Sequence, residues 1–170
     1  MDLKKTIRDI PDFPKKGIIF KDITTLLKDP KALKTSIDRL AKAVAKTKPK
    51  YIVGIESRGF IFGTAVAYKL GLGFIPVRKK GKLPYKTASV SYDLEYGTDT
   101  LEIHADALKK GDKVVIIDDL LATGGTVGAV AKLVGGAGAK ITAVAFVIEL
   151  SFLNGREKLK GFPVISLVQY

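Results

Sequence analysis

The sequence predicts an α/β domain: a mainly parallel, twisted sheet with helices on both faces. Two observations predict it. Short apolar, strand-like runs alternate along the chain with longer segments of helical periodicity. The stretches richest in charge, hydroxyl and glycine follow those runs, at the carboxyl ends of strands, where ligands of such sheets collect. The 170 residues are expected to form one domain over 1–170, long enough to bury a core without disulfides, and there is no cysteine to make one.

Taken in order, "DPKALKTSIDRLAKAVAK" opens with Asp29 as N-cap and Pro30 at the first helical position, then places Leu33, Ile37, Leu40, Ala41 and Val44 on one face. "YIVGI" (51–55) is a short buried strand, "GFIFGTAVAYKLG" a helix closed by Gly71, and "FIPV" (74–77) a second strand. In "RKKGKLPYK", Gly81 and Pro84 predict a loop, and the alternating runs "ASVSYDLEYG" and "DTLEIH" predict a hairpin or flap. Strand (114–117), loop, helix (about 126–134) and strand (141–148) complete the alternation.

Composition narrows the partners. With 29 Lys plus Arg against 17 Asp plus Glu, the formal charge is +12, which steers anions toward the chain: nucleic acid, an acidic membrane or a small polyphosphate. The densest basic group is Arg78, Lys79, Lys80, Lys82 and Lys86, with no acid among them. No apolar run reaches membrane-spanning length, and "MDLKKTIRDI" lacks the apolar region of a secretory signal. A cytoplasmic location and no membrane partner are therefore expected.

The chemistry concentrates in "VVIIDDLLATGGTVGAV". Gly124 and Gly125 free the backbone so that successive N–H groups can converge on one anion at a helix N-terminus, with Thr123 and Thr126 adding hydroxyls. This is a phosphate cradle. It lacks the lysine of a nucleoside-triphosphate P-loop, and no G-x-G-x-x-G opens a dinucleotide-binding unit. Asp118 and Asp119 beside a phosphate would be repelled by it, unless they hold diol hydroxyls or share Mg²⁺ with the ligand. A ligand with a phosphate at one end and ribose hydroxyls a few ångströms away satisfies both halves.

"VVIIDDLLATGGT" resembles the phosphoribosyl pyrophosphate (PRPP) motif of the type I phosphoribosyltransferases, and the resemblance extends over nearly the whole chain through "DFPKKGIIFKDIT", "GIESRGFIFG", "VRKKGKLP", "SYDLEYGTDTLEIH" and "GREKLKGFPVISLVQY". "SRGFIFG", "RKKGKLP" and "LEYG" together resemble the members that act on adenine. The resemblance implies the type I phosphoribosyltransferase fold, with an N-terminal hood over the purine (about 1–30) and a flexible hairpin flap (about 83–103). It implies transfer of the phosphoribosyl group from PRPP to adenine, giving AMP and pyrophosphate in purine salvage, through an oxocarbenium-like transition state.

It also implies roles. Ala122, Thr123, Gly124, Gly125 and Thr126 would take the 5′-phosphate, and Asp118 and Asp119 the ribose hydroxyls. Glu56, Ser57, Arg58, Arg78, Lys79 and Lys82 would face the pyrophosphate, with Arg58 catalytic. Ile19, Lys21 and Leu120 would surround the adenine, Lys21 standing where relatives often have arginine. Glu95 would handle the purine proton under a lid completed by Tyr96 and Gly97. Mg²⁺ would be held mainly by PRPP, and a homodimer is implied. His104, the only histidine, matches no functional position and reads as structural. Two other readings share the cradle: an enzyme of the family acting on a 6-oxopurine, and a nucleic-acid-binding regulator built on this fold. The intact acids and the separate flap argue against the latter, leaving nucleic acid a poor candidate partner.

Overall fold

The computed structural model describes residues 1–93 and 98–170. Its centre is a seven-stranded sheet: β3 (Tyr51–Ile55), β4 (Gly73–Lys79), β5 (Thr87–Asp93), β6 (Thr98–His104), β7 (Lys113–Leu121), β8 (Lys140–Glu149) and β9 (Val164–Gln169), in the order β5-β6-β4-β3-β7-β8-β9. The pairs β3–β4, β3–β7, β7–β8 and β8–β9 are parallel, and β5–β6 and β4–β6 antiparallel. The predicted fold class is therefore the one found. A separate antiparallel ribbon, β1 (Arg8–Pro11) with β2 (Ile19–Asp22), precedes it.

Period-2 alternation explains why the sheet is covered twice. Along β7, Val115 and Ile117 pack with Leu40 and Val44 of helix α2 (Pro30–Ala45) and Phe62 and Val66 of helix α3 (Arg58–Leu70), which follows the short α1 (Thr24–Lys28) and α2 in the chain. Val114 and Ile116 point the other way, to Val127, Val130 and Leu133 of helix α4 (Gly125–Gly136). Asp29 caps α2 by accepting from the N–H groups of Lys31 and Ala32, with Pro30 at its start. Gly71 ends α3 in the left-handed conformation at φ 65°. Leu40, Ala41 and Val44 are fully buried, whereas Leu33 and Ile37 at the start of the same stripe are only partly so.

Three boundaries differ from those the sequence suggests. β7 continues four residues past Ile117, through both acids, because Leu120 and Leu121 find partners in Ile148 and Glu149 of β8. Arg78 and Lys79 belong to β4 rather than to a loop, paired with Glu102 and Leu101 of β6. β1, β2 and β9 were not anticipated; their runs are short and half-exposed, so tertiary pairing makes them.

The topology dictates where a ligand goes. From β3 the chain crosses through α3 to β4 on one side, while β7 lies on the other side of β3. The crevice at that reversal, beyond the carboxyl ends of β3 and β7, carries Glu56–Ser57–Arg58 and Asp118–Asp119.

Candidate active site

Two helix N-termini open into this crevice. α3 begins at Arg58, where the N-cap Ser57 side chain makes no capping hydrogen bond, and α4 begins at Gly125, with Gly124, which has no side chain to cap with, as its N-cap. The first intrahelical bond of α4 runs from the Gly128 N–H to the Gly124 carbonyl, which leaves the preceding N–H groups turned toward a pocket of about 210 Å³ lined by Arg58 and residues 118–127. The structure thus brings Asp118, Asp119, Leu120, Ala122, Thr123, Gly124, Gly125, Thr126 and Arg58 together.

The glycines divide their work differently from the sequence expectation. Only Gly124 takes a left-handed conformation, at φ +78°, and a Cβ there would lie 2.5 Å from the Gly155 carbonyl oxygen. Gly125 has ordinary helical geometry, and the nearest atom to a Cβ would be Lys158 Nζ at 3.8 Å. The backbone there does not require glycine, and its lack of a side chain leaves open space beside the pocket. Gly59 has a third reason: a Cβ would stand 2.8 Å from the Ile117 carbonyl oxygen and 2.9 Å from Asp118 Oδ1, so α3 can seat Arg58 over β7 only with glycine there.

The acids are poised rather than satisfied. Asp118 Oδ1 accepts from the Asp119 N–H at 2.8 Å. Arg58 Nε lies 2.8 Å from Asp119 Oδ2, an ion pair by distance, but the N–H points off that line and the buried Oδ2 accepts no hydrogen bond among the described residues. Burial, then the neighbouring Asp119 charge, push the Asp118 carboxyl well above the usual carboxylate range. Burial also raises Asp119, against the pull of Arg58. An unpaired buried carboxylate oxygen is costly unless something brings it a donor.

The predicted pyrophosphate side is more neutralised than its sequence implies. Arg78 makes a two-pronged contact with Glu56 (3.2 and 3.0 Å), whose carboxyl is held low chiefly by that arginine, and Lys79 pairs with Asp99 at 3.2 Å. Those acids come from other elements, so the acid-free appearance of "RKKGK" is local only. Lys82 makes no ion pair among the described residues.

On the N-terminal ribbon, Ile19 and Lys21 line a cavity of about 390 Å³ together with Leu150, Phe152, Leu153 and Tyr170. Lys21 Nζ lies 2.7 Å from Asp9 Oδ1 and 3.8 Å above the Tyr170 ring. Strand alternation instead sends Phe20 to the cleft side, edge-on to Phe13 at 5.2 Å and 5.6 Å from the Arg58 guanidinium carbon. Phe20, which the sequence reading did not name, thus lies beside Arg58; the alternation in "IFKD" was its only signal.

Glu95, Tyr96 and Gly97 lie outside the described residues. The hairpin that carries them is present, running from Thr87↔His104 to Asp93↔Thr98. The Thr126 hydroxyl reaches Tyr92 Oη at 3.4 Å, linking that hairpin to the cradle. His104 lines a different cavity, with Leu108 and Leu133, its ring edge-on to Tyr85. Among the described residues no cluster of three or more potential ligands forms a metal site.

Comparison with known proteins meets this geometry. Residues 23–162 match the model of the phosphoribosyl transferase domain. The chain is 62% identical over 170 residues, covering all of both chains, to adenine phosphoribosyltransferase of Carboxydothermus hydrogenoformans. It superposes on the crystal structure of adenine phosphoribosyltransferase from Thermoanaerobacter pseudethanolicus with a TM-score of 0.95 at 58% identity, covering 99% of this chain and 98% of that one. The Saccharomyces cerevisiae enzyme, whose structure is a complex with an imino-altritol bisphosphate and adenine, gives 0.91 at 43% identity, covering 97% and 96%.

Proposed function

The chain belongs to the phosphoribosyl transferase domain family, and from that premise we propose how its cleft divides the work. The reaction is transfer of the 5-phosphoribosyl group of PRPP to adenine, giving AMP and pyrophosphate. A bond forms between the purine nitrogen and the anomeric carbon, the bond from that carbon to pyrophosphate oxygen breaks, and the purine gives up its ring N–H proton.

The observation that carries the site assignment is the pair of acids at the end of β7, the buried Asp119 with an Oδ2 that accepts no hydrogen bond among the described residues, beside a helix N-terminus whose donors are unspent. The α4 donors with Thr123 and Thr126 take the 5′-phosphate. Asp118 and Asp119 accept hydrogen bonds from the two ribose hydroxyls, and such donors stabilise the ionised form that burial opposes. Arg58 turns from Asp119 to the leaving pyrophosphate, whose charge grows as the bond breaks, so its contribution is largest in the transition state. Lys82, Arg78 and Lys79, with the main chain of Glu56 and Ser57, add to that site.

On the base side, Phe20 and Leu120 supply apolar faces, and the unpaired edge of β2 supplies main-chain groups around Ile19 and Lys21. A buried hydrogen-bonding edge rejects a base whose donors and acceptors are exchanged, so hypoxanthine and guanine are excluded. The 83–103 hairpin closes as the flap, with Glu95 at the purine proton and Tyr96 and Gly97 completing it; residues 1–30 act as the hood of one domain.

Mg²⁺ fits as a substrate-borne ion, since Asp118 and Asp119 are two carboxylates and not a full cage; it supplies charge neutralisation on PRPP. No helix among the described residues is long and apolar enough to cross a membrane. A homodimer working in the cytoplasm completes the proposal. The test is AMP formation from adenine and PRPP with hypoxanthine and guanine as competitors: efficient use of a 6-oxopurine defeats the specificity assignment.

A further inference from the structure

We propose that Lys158 is the cation that holds the 5′-phosphate of PRPP and of AMP, an inference that rests on the phosphoribosyl-transfer reading above. The cradle has no cation of its own: Ala122, Thr123, Gly124, Gly125 and Thr126 are all neutral, and two acids precede them. A phosphate monoester near neutral pH carries close to two negative charges, which backbone dipoles alone neutralise only in part.

Lys158 arrives from 33 residues downstream, on the 3₁₀ helix Gly155–Leu159. This turn is fitted against the cradle with no room to spare. A Cβ at Gly155 would lie 2.2 Å from the Ala122 carbonyl oxygen, and one at Gly124 would lie 2.5 Å from the Gly155 carbonyl oxygen and 3.3 Å from Lys158 Cβ. The lysine stem therefore runs along the cradle, and Nζ ends 3.8 Å from where a Gly125 side chain would begin, in a cavity of about 370 Å³ that Tyr92 and Gly125 also line.

Its neighbours on the same turn sharpen the point. Arg156 is spent on Glu149 in a two-pronged contact, and Lys160 pairs with Glu157. Lys158, between them, has no ion-pair or hydrogen-bond partner among the described residues, although its ammonium lies beside Gly125 at the start of α4. An ammonium on a flexible stem suits a phosphate as a movable point charge.

The experiment uses the full-length protein and titrates ribose 5-phosphate, AMP and pyrophosphate by calorimetry into wild type, Lys158→Ala, Lys158→Arg and Lys160→Ala, with melting temperatures recorded for each. Lys158→Ala is expected to weaken ribose 5-phosphate and AMP about tenfold, as loss of one charge-assisted contact does, while pyrophosphate changes less than about twofold. Lys158→Arg restores most of the loss. Lys160→Ala removes the same charge from the same turn and leaves all three ligands as in wild type. Ribose 5-phosphate binding by Lys158→Ala equal to wild type overturns the assignment. So does an equal loss in Lys160→Ala, which would mean a diffuse field, or a loss confined to pyrophosphate, which would move Lys158 to the leaving group. If Lys158→Ala melts early, Lys158→Gln replaces it under the same criteria. Because ribose 5-phosphate binding needs no turnover, a wild type that binds it without making AMP would refute the adenine reading and leave Lys158 standing.

Discussion

Asp118 and Asp119 ride on a nine-residue strand with a parallel neighbour on each edge, whereas Phe20 rides on a four-residue strand paired on one edge only. Around the acids, α3 and the turn at Gly155 approach so closely that only glycine fits at residues 59, 124 and 155. Around Phe20, the hood is tied down by side chains: Arg8 to Asp22, Lys21 to Asp9, and Lys21 over Tyr170. The difference teaches that the half of the cleft proposed for the sugar phosphate is fixed by backbone packing, and the half proposed for the base by exchangeable polar contacts. Changes in the first half should therefore be severe, and changes in the second graded.

The harshest test replaces both acids. Asp118→Asn with Asp119→Asn keeps the shape but removes charge from the ribose, and kcat/KM for PRPP should fall about a thousandfold with the fold intact; a double variant with wild-type PRPP affinity breaks the comparison at its root. The same residues make a stability prediction with a definite sign. Burial raises the Asp118 pKa in the folded state, so below the unfolded value of about 3.9 the group is protonated in both states and costs nothing. As pH rises past that value the folded state pays for keeping it protonated or ionising it. Without ligand, Asp118→Asn should melt higher than wild type at pH 8, with the gain shrinking toward pH 4. Equal gains at both pH values would count against a raised pKa.

Next in size, Arg58→Ala should lower kcat about a hundredfold, with a smaller change in adenine KM, if Arg58 acts on developing charge as proposed. Normal turnover with only a raised adenine KM would move Arg58 to the base side. Gly155→Ala forces a methyl group against the Ala122 carbonyl and should cost about 2–3 kcal/mol of stability by chemical denaturation, together with a raised PRPP KM. If it proves neutral, the cradle is looser than its backing suggests. The smallest effect belongs to the hood: Lys21→Ala loses an ion pair whose acid is half-exposed and a contact with Tyr170, and adenine KM should rise about threefold.

The same contrast explains what could be read in advance. β3, α3, β8 and the Asp118–Thr126 motif announce themselves because each is a local pattern: an apolar run, a helical stripe, two acids before T-G-G-T. Phe20, Gly155, Lys158 and Tyr92 do not, because what makes each important is an atom supplied from elsewhere in the chain: Arg58 for Phe20, Ala122 for Gly155, Gly125 for Lys158, Thr126 for Tyr92. Lys21, expected beside the base from the resemblance, has its ammonium on Asp9 and over the Tyr170 ring, contacts that no local pattern announces.

The turn behind the cradle has a consequence for the order in which this protein becomes able to work. The T-G-G-T segment leaves the ribosome well before Gly155, yet Gly124 is braced by the Gly155 carbonyl, and that turn is in turn moored to β8 and β9 through the buried Glu149, which gathers Arg156, Ser166 and Gln169. A nascent chain that already displays every residue of the motif still lacks its backing, and a chain cut short before β9 would lack the Ser166 and Gln169 part of the mooring. In the proposed reading, the cradle is thus completed only once residues 149–169 have folded behind it.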